Sequence, residues 1–323
     1  MPSPIIRTVL GDVAPEALGA TNYHEHLFQV TPLLPGDELD SETASAREAA
    51  LLRDSGFAAM IDATPFGLGR RPEAVARISA ATGLTIVATT GRHREAHYAA
   101  CDPTRERGVA ELSAGFVADI AEGMPADDAA EAPRVARSPA GNPVRAGVLK
   151  GGIDYWKISA FERATLDALA IAHAATGAAV MIHLEFCTAA HEVLDLLGAA
   201  GVRAERVVLA HADRSPDAGL HGELAARGAY LGYDGVARQR TRSDAELLDL
   251  TEQLVSAGYG DRVLLGGDVA RSSRFVAYGG MPGMAYLGER YLPRLRRTVG
   301  DAAVRRMLVD NAAALLALTH EQG

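Results

Sequence analysis

The amino-acid sequence predicts an α/β fold, a single (β/α)8 TIM barrel, and three observations lead to this prediction. Eight short apolar runs rich in β-branched residues alternate with helical patterns along the 323 residues. Eight such units close a parallel barrel, whereas a doubly wound sheet usually has about five to seven strands. Polar residues stand at the ends of several runs, which is where such barrels carry their active sites.

The predicted elements follow one another as strand and then helix. The strands are expected at 20–27, 58–64, 85–91, 147–153, 179–184, 207–212, 229–234 and 263–268. The helices are expected at 41–55, 72–82, 161–176, 188–200, 216–227 and 243–258, and glycine follows several of them. Two further helical patterns occupy the tail from about residue 283 onward.

One stretch interrupts this alternation. Residues 123–146 are rich in Ala, Pro and Asp without periodicity, and this pattern is typical of an irregular loop inserted before the fourth strand. We therefore expect one domain over 1–323 with an insertion at 123–146.

Composition and charge exclude several classes of protein. The net charge of -9 and the absence of a basic cluster with interleaved aromatics argue against a nucleic-acid partner. No apolar run approaches the ~20 residues of a membrane span, and the first residues lack the pattern of a secretory signal. Cys101 and Cys187 lie far apart without metal-binding spacing. We expect a cytoplasmic protein without a membrane partner.

Histidine and aspartate end several of the predicted strands. His24 and His26 lie two residues apart in the first strand, so their side chains are expected to point to the same side. The other strand-end candidates are Lys150, His183, His211 and Asp268. Imidazole and carboxylate ligands without cysteine suit zinc, manganese, iron, cobalt or nickel, and ligand type alone does not choose among these metals.

Lys150 is unusual because only two of the 32 basic residues, Lys150 and Lys157, are lysines. Four histidines and one aspartate are few ligands for two metal ions, and a lysine ammonium would repel both ions. A neutral Lys150 amine could add carbon dioxide and become a carbamate with one oxygen for each metal. Arginine stays protonated and could not do so. The alternative is a lysine in an ordinary salt bridge.

Five segments carry a resemblance to a known family. In this order, RTVLGDVAPEALGATNYHEHLF, RAGVLKGGI, VMIHLEF, VVLAHAD and LLGGDVAR are similar to the phosphotriesterase-like branch of the amidohydrolase superfamily, in particular its lactonase-type members. The resemblance covers nearly the whole chain except 123–146. It implies a metallohydrolase on a (β/α)8 barrel, a small-molecule substrate and a homodimer.

The resemblance also implies a binuclear metal centre and a role for each candidate ligand. His24, His26 and Asp268 would hold the first ion, His183 and His211 the second, and carboxylated Lys150 would bridge them. Both ions are divalent, with zinc as the first expectation and manganese, cobalt, iron or nickel as alternatives. A hydroxide bridging the metals would attack the substrate, and Asp268 would shuttle the proton.

Residues just beyond the strand ends suggest the type of substrate. Arg238 and Arg271 could meet an anion, as cationic loop residues do in family members that hydrolyse phosphorylated sugar lactones. Many family members carry an aromatic pair where this chain has Arg92 and His93, which makes the expected pocket mouth more basic. The residues expected to contact substrate are Arg238, Arg271, Arg92, His93 and Tyr278.

These observations favour a lactonase for a polar or phosphorylated sugar lactone, with weak phosphotriesterase activity. Three alternatives stay open. The first is an amidase or carboxylesterase on the same metals, and the second is a dedicated phosphotriesterase. The third is a metal-binding barrel without turnover.

Overall fold

Eight parallel strands form the centre of the fold, and each pairs with the next along the chain. The structure is a computed structural model that describes residues 3–129, 134–238 and 240–318. A two-stranded antiparallel hairpin of β1 (Ile6–Thr8) and β2 (Gly11–Val13), which the sequence did not predict, precedes them. The barrel strands are β3 (Thr21–Glu25), β4 (Ala59–Asp62), β5 (Thr85–Gly91), β6 (Ala146–Gly152), β7 (Ala179–His183), β8 (Val207–Ala210), β9 (Tyr230–Tyr233) and β10 (Val263–Leu265).

The last strand approaches the first, so the sheet nearly closes on itself. The backbone N–H of Asp268, just beyond β10, donates to the carbonyl of His24 in β3 at 2.9 Å. The N–H of Val269 donates to the Glu25 carboxylate at 2.9 Å. The (β/α)8 barrel predicted from the sequence is therefore confirmed.

Helices lie between successive strands, and their bounds agree with the sequence pattern within a few residues. They are α1 (Glu42–Asp54), α2 (Pro72–Thr82), α3 (Val109–Ala121), α4 (Ala160–Thr176), α5 (Ala190–Ala199), α6 (Ala218–Ala226) and α7 (Asp244–Ser256). The tail contains α8 (Leu292–Val299), α9 (Asp301–Arg305) and α10 (Asn311–Leu316). Only α3 was not among the helices expected from the sequence.

Local sequence explains where several helices begin and end. Ser159 and Ser243 each cap the first turn of α4 and α7 in a reciprocal bond pair with a glutamate three residues later. Helices α2 and α4 end at Gly83 and Gly177, whose φ angles of 71° and 70° lie in the left-handed region that glycine adopts without strain.

Within the described residues of the segment 123–146, no helix or strand precedes the start of β6. Isolated bridges pair Pro125 with Val135 and Arg137 with Pro143. Residues 130–133 lie outside the described part of the chain. The organisation as one domain with an insertion stays a prediction.

The barrel interior is filled by side chains. The inner cluster includes Ile61, Val87, Val148, Met181, Val208 and Leu264. Tyr23 reaches across this space, and a Cβ atom at position 232 would lie 2.0 Å from the Tyr23 hydroxyl, so only glycine fits there. The strand pairing of β3 with β4 shifts register between Asn22 and Glu25, which lets both Tyr23 and His24 face inward.

Within the residues that the structure describes, none of the helices has the length and apolar character needed to cross a bilayer.

Candidate metal centre

The six predicted metal ligands lie together at the C-terminal ends of the barrel strands. Each is at most 6% exposed to solvent. They are His24 on β3, His26 just after it, Lys150 on β6, His183 on β7, His211 just after β8 and Asp268 beyond β10. Apart from Lys150, all of them line a cavity of about 430 Å³. The Lys150 amine lies beside them, with its Nζ atom 3.2 Å from Nε2 of His24.

The first group of ligands consists of His24, His26 and Asp268. The Nε2 atoms of the two histidines lie 3.9 and 3.8 Å from Oδ1 of Asp268. One ligand atom from each residue lies within 4.8 Å of the others, which is a spacing that one metal ion can span.

Asp234, which follows β9, orients two of the histidines. Its Oδ2 atom contacts Nδ1 of His24 at 3.0 Å, and its Oδ1 atom contacts Nδ1 of His211 at 2.6 Å. The Tyr23 hydroxyl donates to the same carboxylate. Because a carboxylate accepts hydrogen bonds, both rings carry their proton on Nδ1 and leave Nε2 with a free lone pair. Both Asp234 oxygens are thereby occupied, so Asp234 orients ligands rather than serving as one.

The other two histidines are oriented in the same way. Nδ1 of His26 lies 2.8 Å from the Thr64 hydroxyl, which itself donates to the Phe28 carbonyl and so accepts from the ring. Nε2 of His183 lies 2.8 Å from Oε1 of Glu185, which places the proton on Nε2 and leaves the Nδ1 lone pair free.

The second group of ligands consists of His183 and His211. One ring nitrogen of each residue faces the other without a proton between them. Nδ1 of His183 lies 2.8 Å from Nε2 of His211, and the carboxylate partners assign a lone pair to each atom. Two lone pairs at this distance repel unless a cation lies next to both. The donor set therefore fits a second metal ion at His183 and His211.

Burial keeps these histidines neutral. It lowers the pKa of His24 and places the pKa of His26 and His183 well below the ordinary value. It lowers the pKa of His211 to about 3. Neutral imidazoles are the form that binds metal, so the free ligands are available at neutral pH.

Lys150 has an environment that disfavours its charged form. Burial lowers the pKa of its amine to about 8, against the opposing effect of Asp268 and Asp234. Within the described residues no carboxylate forms an ion pair with it, and its Nζ atom contacts His24 and the sulfur of Met181. The ordinary salt-bridged lysine considered from the sequence does not match this arrangement.

Two of the candidate ligands have strained backbones. His211 has φ 62° and Asp268 has φ 42°, in the left-handed region that residues other than glycine rarely adopt. Such strain costs of order 1–3 kcal/mol per residue and is concentrated at functional sites.

Arginines surround the mouth of the cavity. Arg94, Arg214, Arg238, Arg242 and Arg271 line it. Arg242 is only 8% exposed, yet its Nε and Nη1 atoms have no hydrogen-bond partner within the described part of the chain. Its nearest carboxylate oxygen, on Asp213, is 3.9 Å from Nη2. A buried guanidinium with two unpaired donors indicates a place for an anion.

Arg238 is paired within the site. Its Nη2 atom donates to the Asp268 carboxylate. Burial alone would raise the pKa of Asp268, but Arg238 and His211 outweigh this effect and hold the pKa below the ordinary value. Asp268 is therefore ionised at neutral pH.

Three of the five predicted substrate contacts line the cavity, namely Arg238, Arg271 and His93. Arg92 does not. Its guanidinium turns back toward α4, where it donates to the Thr165 hydroxyl at 2.8 Å and stacks 3.7 Å from the centre of the Phe161 ring. It therefore holds the loop after β5.

Tyr278 also lies away from the cavity lining. Its hydroxyl accepts from the backbone N–H groups of Asp40 and Ser41, at 3.0 and 2.7 Å, just before α1. Its role in this structure is to hold that turn.

Four residues of the site were not assigned a role from the sequence: Asp234, Glu185, Arg214 and Arg242. Asp234 ends the predicted strand 229–234, so the rule that selected the histidines could have selected it. Glu185 stands two residues after His183 and could have been found as its partner. No pattern distinguished Arg214 and Arg242 from the other arginines.

Comparison with known proteins agrees with this geometry. Residues 4–316 match the Phosphotriesterase family. A phospho-furanose lactonase of Mycoplasmopsis synoviae (strain 53) is 28% identical over 342 residues, which cover 100% of this chain and 94% of that protein. An N-acetyltaurine hydrolase of Tetraodon nigroviridis is 29% identical over 95% of this chain and 96% of its own length. The crystal structure of a lactonase from Listeria monocytogenes is 28% identical, with a TM-score of 0.86 over 98% of this chain and 100% of that one.

Proposed function

The chain belongs to the phosphotriesterase family of metal-dependent hydrolases, and from this premise we propose that it is a binuclear lactonase for a phosphorylated or otherwise anionic sugar lactone. Relatives named phospho-furanose lactonase at 28% identity support the reaction class. The observation that carries the proposal is that one cavity is lined both by the metal-directed histidines and by buried Arg242, two of whose donors have no partner among the described residues.

The proposed metal ligands are His24, His26 and Asp268 for one ion and His183 and His211 for the other. Lys150 would bridge them as a carbamate, because burial lowers the pKa of its amine to about 8 and the amine lies 3.2 Å from Nε2 of His24. Zinc is the first expectation for the ions. Such a pair of ions would lower the pKa of a shared water to about 7 and polarise the lactone carbonyl.

The residues of the chain supply binding and proton transfer. The Asp268 carboxylate, ionised at neutral pH, accepts the proton of the attacking water and returns it to the ring oxygen that leaves. Arg242 and Arg271 bind the anionic group of the substrate, and Arg238 links this subsite to Asp268. The backbone N–H of Arg94 donates to Nδ1 of His93 at 2.8 Å. His93 therefore carries its proton on Nε2, which donates a hydrogen bond to the substrate.

A second candidate is hydrolysis of an amide that carries an anionic group. It is favoured by relatives named N-acetyltaurine hydrolase, at 29% and 27% identity over 95% of this chain. The same arginines could bind such a substrate, and the same site could cleave an amide.

Turnover by the purified protein, loaded with zinc in bicarbonate buffer, decides between these candidates. The panel contains phosphorylated and unphosphorylated sugar lactones, an acyl-homoserine lactone, N-acetyltaurine and a chromogenic phosphotriester. We expect the highest kcat/KM for a phosphorylated lactone and slow turnover of the phosphotriester. Activity on the amide alone would reject the lactonase proposal, and no hydrolysis by protein that retains two metal ions would favour a binding protein.

A further inference from the structure

Three aromatic side chains form an exposed group beside the cavity. Tyr155 and Trp156, after β6, are 58% and 65% exposed, and Phe186, after β7, is 49% exposed. The Tyr155 ring lies edge-on to both neighbours, with centroids 6.4 Å from Trp156 and 6.2 Å from Phe186. Aromatic side chains usually bury most of their surface, so an exposed group of three calls for a binding partner.

The backbone holds these rings outward at a cost. Trp156 and Phe186 have φ angles of 50° and 53°, and Cys187 and Ala189 next to Phe186 have 57° and 53°. Each left-handed residue other than glycine costs free energy, and such residues collect where function requires them. The strain is a second observation, independent of exposure, that points to the same loops.

Hydrogen bonds tie the two loops together and to the cavity wall. The N–H of Trp156 donates to the Thr188 hydroxyl at 3.1 Å, and that hydroxyl donates to the Glu185 carbonyl at 2.7 Å. Asp154 accepts from the guanidinium of Arg94 at 3.0 Å. The aromatic group is therefore held in a defined place rather than on a free loop.

The group is continuous with the cavity because Phe186 lines it. The same cavity is lined by the metal-directed histidines and by Arg242, and the two Arg242 donors that lack a partner in the described part of the chain indicate an anion. A substrate that meets both Arg242 and Phe186 must combine an anionic group with a flat apolar or C–H-rich face.

We propose that Tyr155, Trp156 and Phe186 form a stacking platform for the part of the substrate that extends out of the cavity. The occupant is a second ring, with a flat apolar or C–H-rich face, of the same small molecule whose anionic group meets the arginines. This inference rests on the proposed function, because it assigns a binding site to the end of the substrate that lies away from the anionic group. It makes these three residues determinants of specificity.

Two phosphate monoesters test the platform directly. Methyl phosphate and phenyl phosphate share the anionic group, and only phenyl phosphate offers a flat face. Trp156 is the single tryptophan of the chain, so its fluorescence reports on the platform without interference. We expect phenyl phosphate to bind the metal-loaded protein about tenfold more tightly than methyl phosphate and to change the Trp156 emission.

Variants separate stacking from anion binding. The double substitution Tyr155→Ala and Phe186→Ala is expected to bring the affinity ratio of the two esters close to one and to leave methyl phosphate binding unchanged. Ile171→Ala is the matched control, because Ile171 is a 50% exposed apolar residue on α4 whose loss should leave the ratio unchanged.

Three outcomes of the binding experiments would overturn the platform. They are an equal ratio in the wild type and the double variant, no binding of either ester, and Trp156 emission that depends on protein concentration instead of ligand. The last would show that a second copy of the chain covers the patch. Lactone turnover decides the proposed function separately, so an active lactonase without a Trp156 response would reject the platform alone.

Discussion

At the scale of single residues, the site depends on which ring nitrogen carries a proton. Asp234, Thr64 and Glu185 place the protons of the four histidines on the nitrogens that point away from the shared centre. Each partner thus leaves the other ring nitrogen with a lone pair that is free to bind a metal ion. Partners of this kind typically change metal affinity or activity by about 10–100-fold when replaced.

Glu185 gives the most selective test of this idea. In Glu185→Gln the contact with His183 can persist, but the negative charge that balances Arg94 at 3.1 Å and Arg214 at 3.5 Å is lost. We expect affinity for the second ion to fall about 10–100-fold and affinity for the first to stay unchanged.

Zinc content after dialysis against graded chelator concentrations measures this effect. Glu192→Gln, an exposed glutamate on α5, is the matched control and should retain both ions. Unchanged affinity for both ions in Glu185→Gln would show that the carboxylate has no part in holding His183.

Arg242 tests the anion subsite. Arg242→Gln should raise KM for a phosphorylated lactone by about 10-fold or more, because a buried charge-assisted bond is lost, with a smaller change in kcat. The unphosphorylated lactone should be affected little. Steady-state kinetics on both lactones is the measurement, with the exposed neighbour Arg240→Gln as control. Equal losses on both lactones would contradict an anion-binding role.

Strand-end position predicted that the six candidate ligands lie close together, because the rule depends only on chain order and the direction of parallel strands. The same rule did not predict where the Arg92 guanidinium lies, since a long flexible side chain can turn back. Its guanidinium donates to the Thr165 hydroxyl and the Phe161 carbonyl and does not line the cavity. Arg242 could not be predicted because its burial depends on loops whose path the pattern does not define.

At the scale of elements, helices and strands are joined by buried polar contacts. His221 on α6 lies 2.6 Å from the Tyr233 hydroxyl on β9 through Nδ1, and 3.0 Å from the Ala212 carbonyl through Nε2. Burial lowers the pKa of His221 to about 4. His221 therefore becomes protonated at a lower pH in the folded state than in the unfolded state.

This shift predicts a pH dependence of stability. Between pH 6.5 and about 4 the unfolded chain binds more protons at His221 than the folded chain does, so folding stability decreases as pH falls through this window. Urea unfolding at pH 7.5 and 4.5 should show a loss about 2 kcal/mol smaller in His221→Gln than in the wild type. Equal losses in the two proteins would contradict a buried neutral imidazole.

The contact between β9 and β3 makes a second prediction at this scale. A Cβ at position 232 would meet the Tyr23 hydroxyl at 2.0 Å, so Gly232→Ala must displace a buried side chain. We expect a loss of about 1–3 kcal/mol in unfolding free energy, measured by urea denaturation. Adding Tyr23→Phe should recover part of the loss, and an unchanged stability in Gly232→Ala would reject this packing.

Element positions followed from periodicity and from glycines that follow helices, such as Gly177. The hairpin β1–β2 was missed because its strands have three residues each, too few for a pattern. Helix α3 was not among the helices expected, although its sequence is apolar and helical in type. The register shift in β3 has no signal in the sequence, since register depends on the neighbouring strand.

At the scale of the whole molecule, the barrel brings distant residues to one end. His24 and Asp268 are 244 positions apart in number, yet the backbone of one donates to the other at 2.9 Å. Although the chain has a net charge of -9, five arginines line this cavity. That distribution favours an anionic substrate despite the overall charge.

The metal content of Lys150→Ala tests the central claim most directly. The wild type, prepared with zinc and bicarbonate, is predicted to hold two ions per chain. Lys150→Ala should lose the second ion and nearly all lactonase activity, and short carboxylic acids should restore part of both by supplying the missing bridge. Lys150→Arg should fail in the same way. Two tightly held ions and full activity in Lys150→Ala would contradict the account.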